Sequence, residues 1–250
     1  ERTLKRGLPL PLLAYSASIR LTVTFISILE NNNLRARVYN WMLGVAENVA
    51  VKREDGIVGA LRFFASSDGF GVFHSYFGAP ASVALAEALI AGGIKKLILF
   101  GEAGAIDPKM KIGKLLVPTF ALREEGASYH YLPSDVPAKP SRILRGKLKT
   151  MLDRAGFAYE EGGVWTTDAP LRETREKILK CCERGALAVD MECSALFAVS
   201  KYRKTECAAL LIITDELHGK RWKQGFDNKK LITKEKEVAE TLTRNWRKLL

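Results

Sequence analysis

The stretch Ala188-Val-Asp-Met-Glu-Cys-Ser-Ala-Leu-Phe197, followed one helix length later by Ala208-Ala-Leu-Leu-Ile-Ile213 and then Thr214-Asp215-Glu216, decides how this chain is read. A short apolar run rich in branched side chains, bounded by acids, predicts a buried strand over 208–213. Residues 191–202 read as an amphipathic helix entered through Asp190 and Glu192. In open α/β sheets, ligands collect outside the carboxyl ends of strands, which makes Asp215 the stronger functional candidate. Asp190 has an equally good structural reading, because acids at helix starts cap free N–H groups and meet the positive end of the helix dipole. A glutamate opening a helix and an aspartate on a strand lip can grip a sugar diol and protonate a leaving base. That suggests glycosidic-bond chemistry on a nucleoside.

Outward from this stretch, apolar runs bounded by turn residues recur at 8–15, 71–77, 94–100 and 114–120. Helical spacing appears at 20–31, 80–91, 141–156, 172–184 and 234–250, with Pro80 at a helix start where its missing N–H is harmless. Strands alternating with helices predict an α/β fold, a three-layer α/β/α sandwich around a central mixed β-sheet. Residues 53–64 and 114–120 are expected to add antiparallel pieces. With 250 residues, 47% of them hydrophobic, and no linker or repeat, one domain over 1–250 is expected.

The formal net charge of +11 invites a nucleic-acid partner. Its distribution argues otherwise. Lysines and arginines are scattered over 95–96, 109–114, 142–149 and 220–236, without an aromatic platform, so solvated helix faces and a small anionic substrate are expected. Every apolar run falls short of the roughly 18–20 residues that cross a bilayer, so no membrane span is predicted. The basic start and short apolar run of 1–13 lack a small-residue cleavage site, and a cytoplasmic protein is expected. Cys181, Cys182, Cys193 and Cys207 form no CxxC pair, so reduced thiols are expected and a metal is not.

Three strand-ending loops could hold a substrate. Ser16-Ala17-Ser18-Ile19-Arg20 offers hydroxyls and a guanidinium at a helix start, making Arg20 a candidate phosphate ligand. Phe77-Gly78-Ala79-Pro80 and Phe100-Gly101-Glu102-Ala103-Gly104 carry glycines that let backbone approach a ligand. Glu102 is the odd member, because a carboxylate there repels phosphate.

Taken together, these segments resemble the nucleoside phosphorylase family, which includes purine nucleoside phosphorylase, uridine phosphorylase and the nucleosidases that cleave methylthioadenosine. The resemblance is carried, in order, by Phe77-Gly-Ala-Pro80, Gly101-Glu-Ala-Gly-Ala-Ile-Asp-Pro108, Lys111-Ile-Gly-Lys-Leu-Leu-Val-Pro118, Arg123-Glu-Glu-Gly-Ala-Ser-Tyr-His-Tyr131, Thr166-Thr-Asp168, Ala188-Val-Asp-Met-Glu192 and Thr214-Asp215. It implies a single nucleoside phosphorylase-like domain and a homo-oligomer built from dimers, up to a hexamer. It also implies a pentosyltransferase that needs no metal or organic cofactor and uses phosphate as co-substrate. By the same resemblance Glu192 holds the ribose hydroxyls, Met191 packs on the sugar, and Asp215 protonates the departing purine. Arg20 binds phosphate, and Trp165, Thr166 and Thr167 line the base pocket; from the loops read above, Gly78, Gly101 and Glu102 are further candidate substrate-site residues.

Two positions depart from the family pattern. Where its members carry a phosphate-binding arginine and a serine or threonine, this chain has Leu99 and Glu102. Either the phosphate site is rebuilt from Arg20, Arg35, Arg37 or Arg123, or Glu102 serves water and the enzyme is a nucleoside hydrolase. A catalytically silent nucleoside-binding protein is a third reading. Purine and uridine remain alternative substrates, and His74, His130 and His218 are further candidate contacts, His130 first among them.

Overall fold

The computed structural model describes residues 24–28, 63–65, 70–75 and 77–249. In chain order its elements are β1 (Thr24–Ile28), β2 (Phe63–Ala65), β3 (Phe70–His74), α1 (Ala79–Ala91), β4 (Lys96–Ala105), β5 (Leu115–Glu124), α2 (Arg142–Arg154), β6 (Tyr159–Thr167), α3 (Arg175–Glu183), β7 (Ala186–Asp190), α4 (Cys193–Tyr202), β8 (Glu206–Glu216), β9 (Lys223–Gln224) and α5 (Lys229–Arg244).

β4 and β8 form the spine, paired in parallel from Lys96 opposite Glu206 to Ala105 opposite Glu216. Side chains alternate along a strand. Leu97, Leu99, Cys207, Ala209 and Leu211 therefore face one apolar cluster shared with α1 and α4. Ile98, Phe100, Ala208, Leu210 and Ile212 face another, shared with α2 and α5. Runs apolar on both faces are what a strand covered by helices on both sides requires, which is why 208–213 shows no alternation.

The α/β class and the mixed sheet are as expected, but the sheet does not stay an open layer. Strands β4, β7, β6, β5 and β8 pair in turn, and β8 returns to β4, closing a ring. One edge of β4 is divided: Lys96–Phe100 pairs with β1, and Gly104 and Ala105 pair with β7. Two expectations need correction. Helical spacing in 20–31 gives way to strand β1, because its β-branched residues suit a pleated backbone that β3 and β4 take up antiparallel from either side. The loop expected after Phe100 is strand as far as Ala105, because β8 pairs with Gly101, Glu102, Ala103, Gly104 and Ala105 in turn. The run 8–15 lies outside the described residues.

Candidate active site

β7 ends at Asp190, and the chain turns at once into α4. Asp190 Oδ2 accepts the N–H groups of Glu192 at 3.2 Å and Cys193 at 2.7 Å, while Oδ1 accepts the Thr166 hydroxyl at 2.6 Å. Capping the helix thus falls to Asp190. Glu192 stands at the N-cap position without capping. Its Oε1 instead accepts the Gly78 N–H at 2.5 Å, and its Oε2 the Met191 N–H at 3.3 Å. Gly78 presents that N–H from a φ of +100° and a ψ of 145°, a conformation open essentially to glycine alone.

A second layer of polar groups holds this arrangement from behind. Thr166 Oγ1 also accepts the Ser194 N–H at 3.0 Å, the Ser194 hydroxyl donates to Glu125 Oε1 at 2.7 Å, and Glu125 Oε2 accepts the Ser128 N–H at 2.8 Å. All three side chains are buried. Burial lifts the Asp190 and Glu192 carboxyls above the ordinary range; the Asp190 charge lifts Glu192 further, and the Gly78 N–H pulls it back.

Asp215 reaches the same end of the sheet by another route. The β4–β8 register slips between Ala103 and Gly104, so Ile213 lies opposite Ala103 and Asp215 opposite Gly104, with Thr214 as the extra residue. Gly104 also pairs with Val189 on β7. The two acid-bearing strand ends therefore flank one glycine, about 10 Å apart as strands two places removed. A Cβ on Gly104 would lie 2.3 Å from Leu217 Cδ1 and 3.2 Å from the Asp215 carboxylate, so a side chain here would force Leu217 to shift and crowd the carboxylate.

Asp215 is held above the ordinary carboxylate range by burial, against hydrogen bonds from Trp222 and Thr214 that pull it down. Trp222 Nε1 donates to Oδ2 at 2.6 Å, and the Thr214 hydroxyl to Oδ1 at 3.1 Å. Two further carboxyls respond to Asp215. Glu102 is raised to about 8 by burial, then by Glu235 and Asp215. Glu173 is raised to about 8 by burial, then by Asp215 and Glu124, with Lys177 opposing.

The remaining expected residues divide. Thr166 and Met191 join the Glu192 network, and Thr167 is buried, its hydroxyl accepting the Ala169 N–H at 3.2 Å. Trp165 is 1% exposed, packed with Ile106, Leu122, Ile178 and Val189, and its indole N–H donates to Glu124 at 2.6 Å. That is a core position, with no open ring face for a base. Gly101 is buried in the β4–β8 ladder, where a Cβ would meet only Leu99 and Leu211 at 3.8 and 3.9 Å, so crowding does not demand glycine there.

Arg123 donates to Ser128 Oγ and to the carbonyls of Leu132, Pro133 and Val136, and stacks over Tyr129 at 4.1 Å. Its charge pins the segment after β5 and is spent there. His130 is exposed, and His218 Nε2 lies 3.3 Å from Glu216 Oε2. Arg20, Arg35 and Arg37 lie outside the described residues, as does the His74 side chain. Sequence reasoning missed Trp222, Glu173, Glu125 and Ser194; the one signal was a lone indole inside the basic run 220–236.

The phosphorylase superfamily matches residues 53–246. The chain belongs to that superfamily. Among its relatives is guanosine phosphorylase of Halorubrum lacusprofundi, 26% identical over 201 residues that cover 80% of this chain and 81% of that protein. An uncharacterised protein of Acanthamoeba polyphaga mimivirus is 28% identical over 148 residues, 59% of this chain and 57% of its own length. The crystal structure of AMP nucleosidase from Bacteroides thetaiotaomicron VPI-5482 shares the fold, with a TM-score of 0.60, 24% identity, and coverage of 84% of this chain and 86% of that one. A phosphorylase by sequence and a nucleosidase by fold are thus both among the proteins this chain is similar to.

Two outcomes test this geometry. Gly104→Ala should cost about 1–3 kcal/mol in denaturant unfolding through its clash, whereas Gly101→Ala should stay within about 0.5 kcal/mol. A folded state that keeps the Glu102 proton, which the unfolded chain releases near 4.5, loses stability as pH rises from 4.5 to about 8. Glu102→Gln should therefore raise the melting temperature at pH 8 and leave it little changed at pH 4.5; an equal effect at both would contradict the buried charge.

Proposed function

We propose that the protein cleaves the N-glycosidic bond of a nucleoside and transfers the pentosyl group to phosphate, giving free base and ribose 1-phosphate. The observation that carries this reading is the pair of acid-bearing strand ends, Asp190 to Glu192 and Asp215, on either side of Gly104. Glu192 is relieved of helix capping by Asp190, and its carboxylate can exchange backbone N–H partners for the two ribose hydroxyls. Once Glu192 is ionised, its charge-assisted hydrogen bonds to that diol strengthen as the ring gains oxocarbenium character. Met191 packs on the sugar, and Asp215, whose carboxyl burial pushes upward, delivers its proton to the base nitrogen as the bond breaks. Phosphate then attacks the anomeric carbon.

In this reading Arg20 supplies the phosphate cation, and neither a metal nor an organic cofactor takes part. The enzyme works as a dimer-based homo-oligomer in cytoplasmic nucleoside salvage, with no nucleic-acid or membrane partner. Its substrate is a purine nucleoside or uridine; a buried acid at the strand end suits a purine, whose ring nitrogen accepts the proton.

One observation favours water as the acceptor instead. Leu99, at the position of the family's phosphate arginine, is fully buried in the cluster with α1 and α4 and offers phosphate no charge. Glu102 is a poor base for that water below pH 8, because it holds its own proton there.

Asp215→Asn should lower base release from inosine or adenosine by about 10²–10⁴-fold while the protein stays folded, since the amide has no comparable proton to give. An unchanged rate would remove Asp215 from the chemistry. Glu192→Ala should weaken substrate binding and turnover together; loss of thermal stability with turnover intact would make Glu192 a packing residue.

A further inference from the structure

β8 ends at Glu216, and the chain returns as β9, antiparallel, with Asp215 opposite Gln224 and Glu216 opposite Lys223. This return brings the Trp222 indole, steadied by Phe226 at 6.0 Å between ring centroids, onto Asp215 Oδ2 at 2.6 Å. On the other oxygen, Oδ1, the partner is the Thr214 hydroxyl at 3.1 Å. The two oxygens are not equivalent. An indole N–H only donates, so Oδ2 stays an acceptor whether or not the carboxyl is protonated. A hydroxyl donates or accepts by rotation, so Thr214 can serve Oδ1 in either state.

We propose that Trp222 is a positioning residue for the acid: it locks Oδ2 as an acceptor and thereby assigns the transferable proton to Oδ1. This rests on the reading of Asp215 as the proton donor. In the step, the Oδ1–H bond breaks and the proton goes to the base nitrogen. The electron pair of the glycosidic bond leaves with the base, and the new carboxylate is held by the indole N–H and the Thr214 hydroxyl.

Both donors are neutral, so they stabilise the product anion without forcing ionisation beforehand, as a lysine or arginine in their place would. The charged groups that face Asp215 work in the same direction. Glu102 on β4 and Glu173 ahead of α3 both feel its charge, and Glu235 on α5 acts in turn on Glu102. Lys223 on β9, next to Trp222 in the chain, is engaged with Glu216 at 3.1 Å. Trp222, first, and Thr214, second, therefore temper an acid whose charge Glu102 and Glu173 feel.

The test is the pH profile of kcat and KM for base release by the full chain. Trp222→Phe keeps an aromatic ring against Phe226 and removes the N–H. It should move the alkaline limb of kcat up by about one pH unit and lower the plateau about tenfold, with KM changed less than twofold, the size expected for one hydrogen bond to an ionised group. Replacing tryptophan by 5-fluorotryptophan in the unmutated chain, which sharpens the donor and spares the packing, should move the limb down. A limb that stays in place in both proteins, or a loss confined to KM, would overturn the assignment. Asp215→Asn run alongside separates the two readings: full activity there removes the acid itself, whereas an inactive Asp215→Asn with an unmoved Trp222→Phe limb removes only the role of Trp222.

Discussion

The slip in the β4–β8 ladder governs the rest of the site. Parallel pairing fixes which face each residue of β8 presents, and up to Ile213 the alternation sends odd-numbered residues toward α1 and α4. The single extra residue, Thr214, reverses that order, so Asp215 lands beside Gly104 on the face it shares with Glu102. One bulge thus turns a residue destined for the core into an acid at the sheet end, a use of bulges common beside active sites. The local cost is a position at which a single methyl group would collide with Leu217 and the carboxylate.

Around that slip the structure separates two electrostatic tasks. Asp190, Thr166, Ser194 and Glu125 form a buried chain of hydrogen bonds whose effect is to aim Glu192, with each charge met by hydroxyl or backbone donors. Asp215 sits among carboxyls, Glu102 and Glu173, and is met by neutral donors. Burial raises the carboxyls in both arrangements; what differs is the company each keeps, backbone N–H donors and Asp190 around Glu192, side-chain donors and further carboxyls around Asp215. Pairs of acids whose surroundings assign them different roles are the usual way one site binds with one carboxyl and protonates with another.

Much of this was legible in sequence, for identifiable reasons. Residues 208–213 announce a strand because their branched side chains must be buried on both faces, and Pro80 and Ser141 mark helix starts by their own chemistry. β6 was not legible: Tyr159-Glu-Glu-Gly-Gly163 carries no apolar period and becomes strand by pairing with β5 and β7. Nor was the closure of the sheet, which depends on the divided edge of β4. Glu192 and Asp215 stood out as acids at a helix start and at the end of an apolar run, and the family motifs point to the same two residues. Trp222 was not, because only the β8–β9 return brings it to Asp215. Arg123 shows the converse: a conspicuous charge in a motif is satisfied by carbonyls and stays structural.

The most direct measurement is base release from inosine, adenosine and uridine, with and without phosphate, resolving ribose 1-phosphate from free ribose by NMR. Release that depends on phosphate, with ribose 1-phosphate as the product, is the expected result. Release at the same rate without phosphate, giving free ribose, would make water the acceptor and replace the phosphorylase reading with hydrolysis. Tight nucleoside binding with no release under either condition would contradict the claim that these two strand ends form a glycosidic-bond-cleaving site.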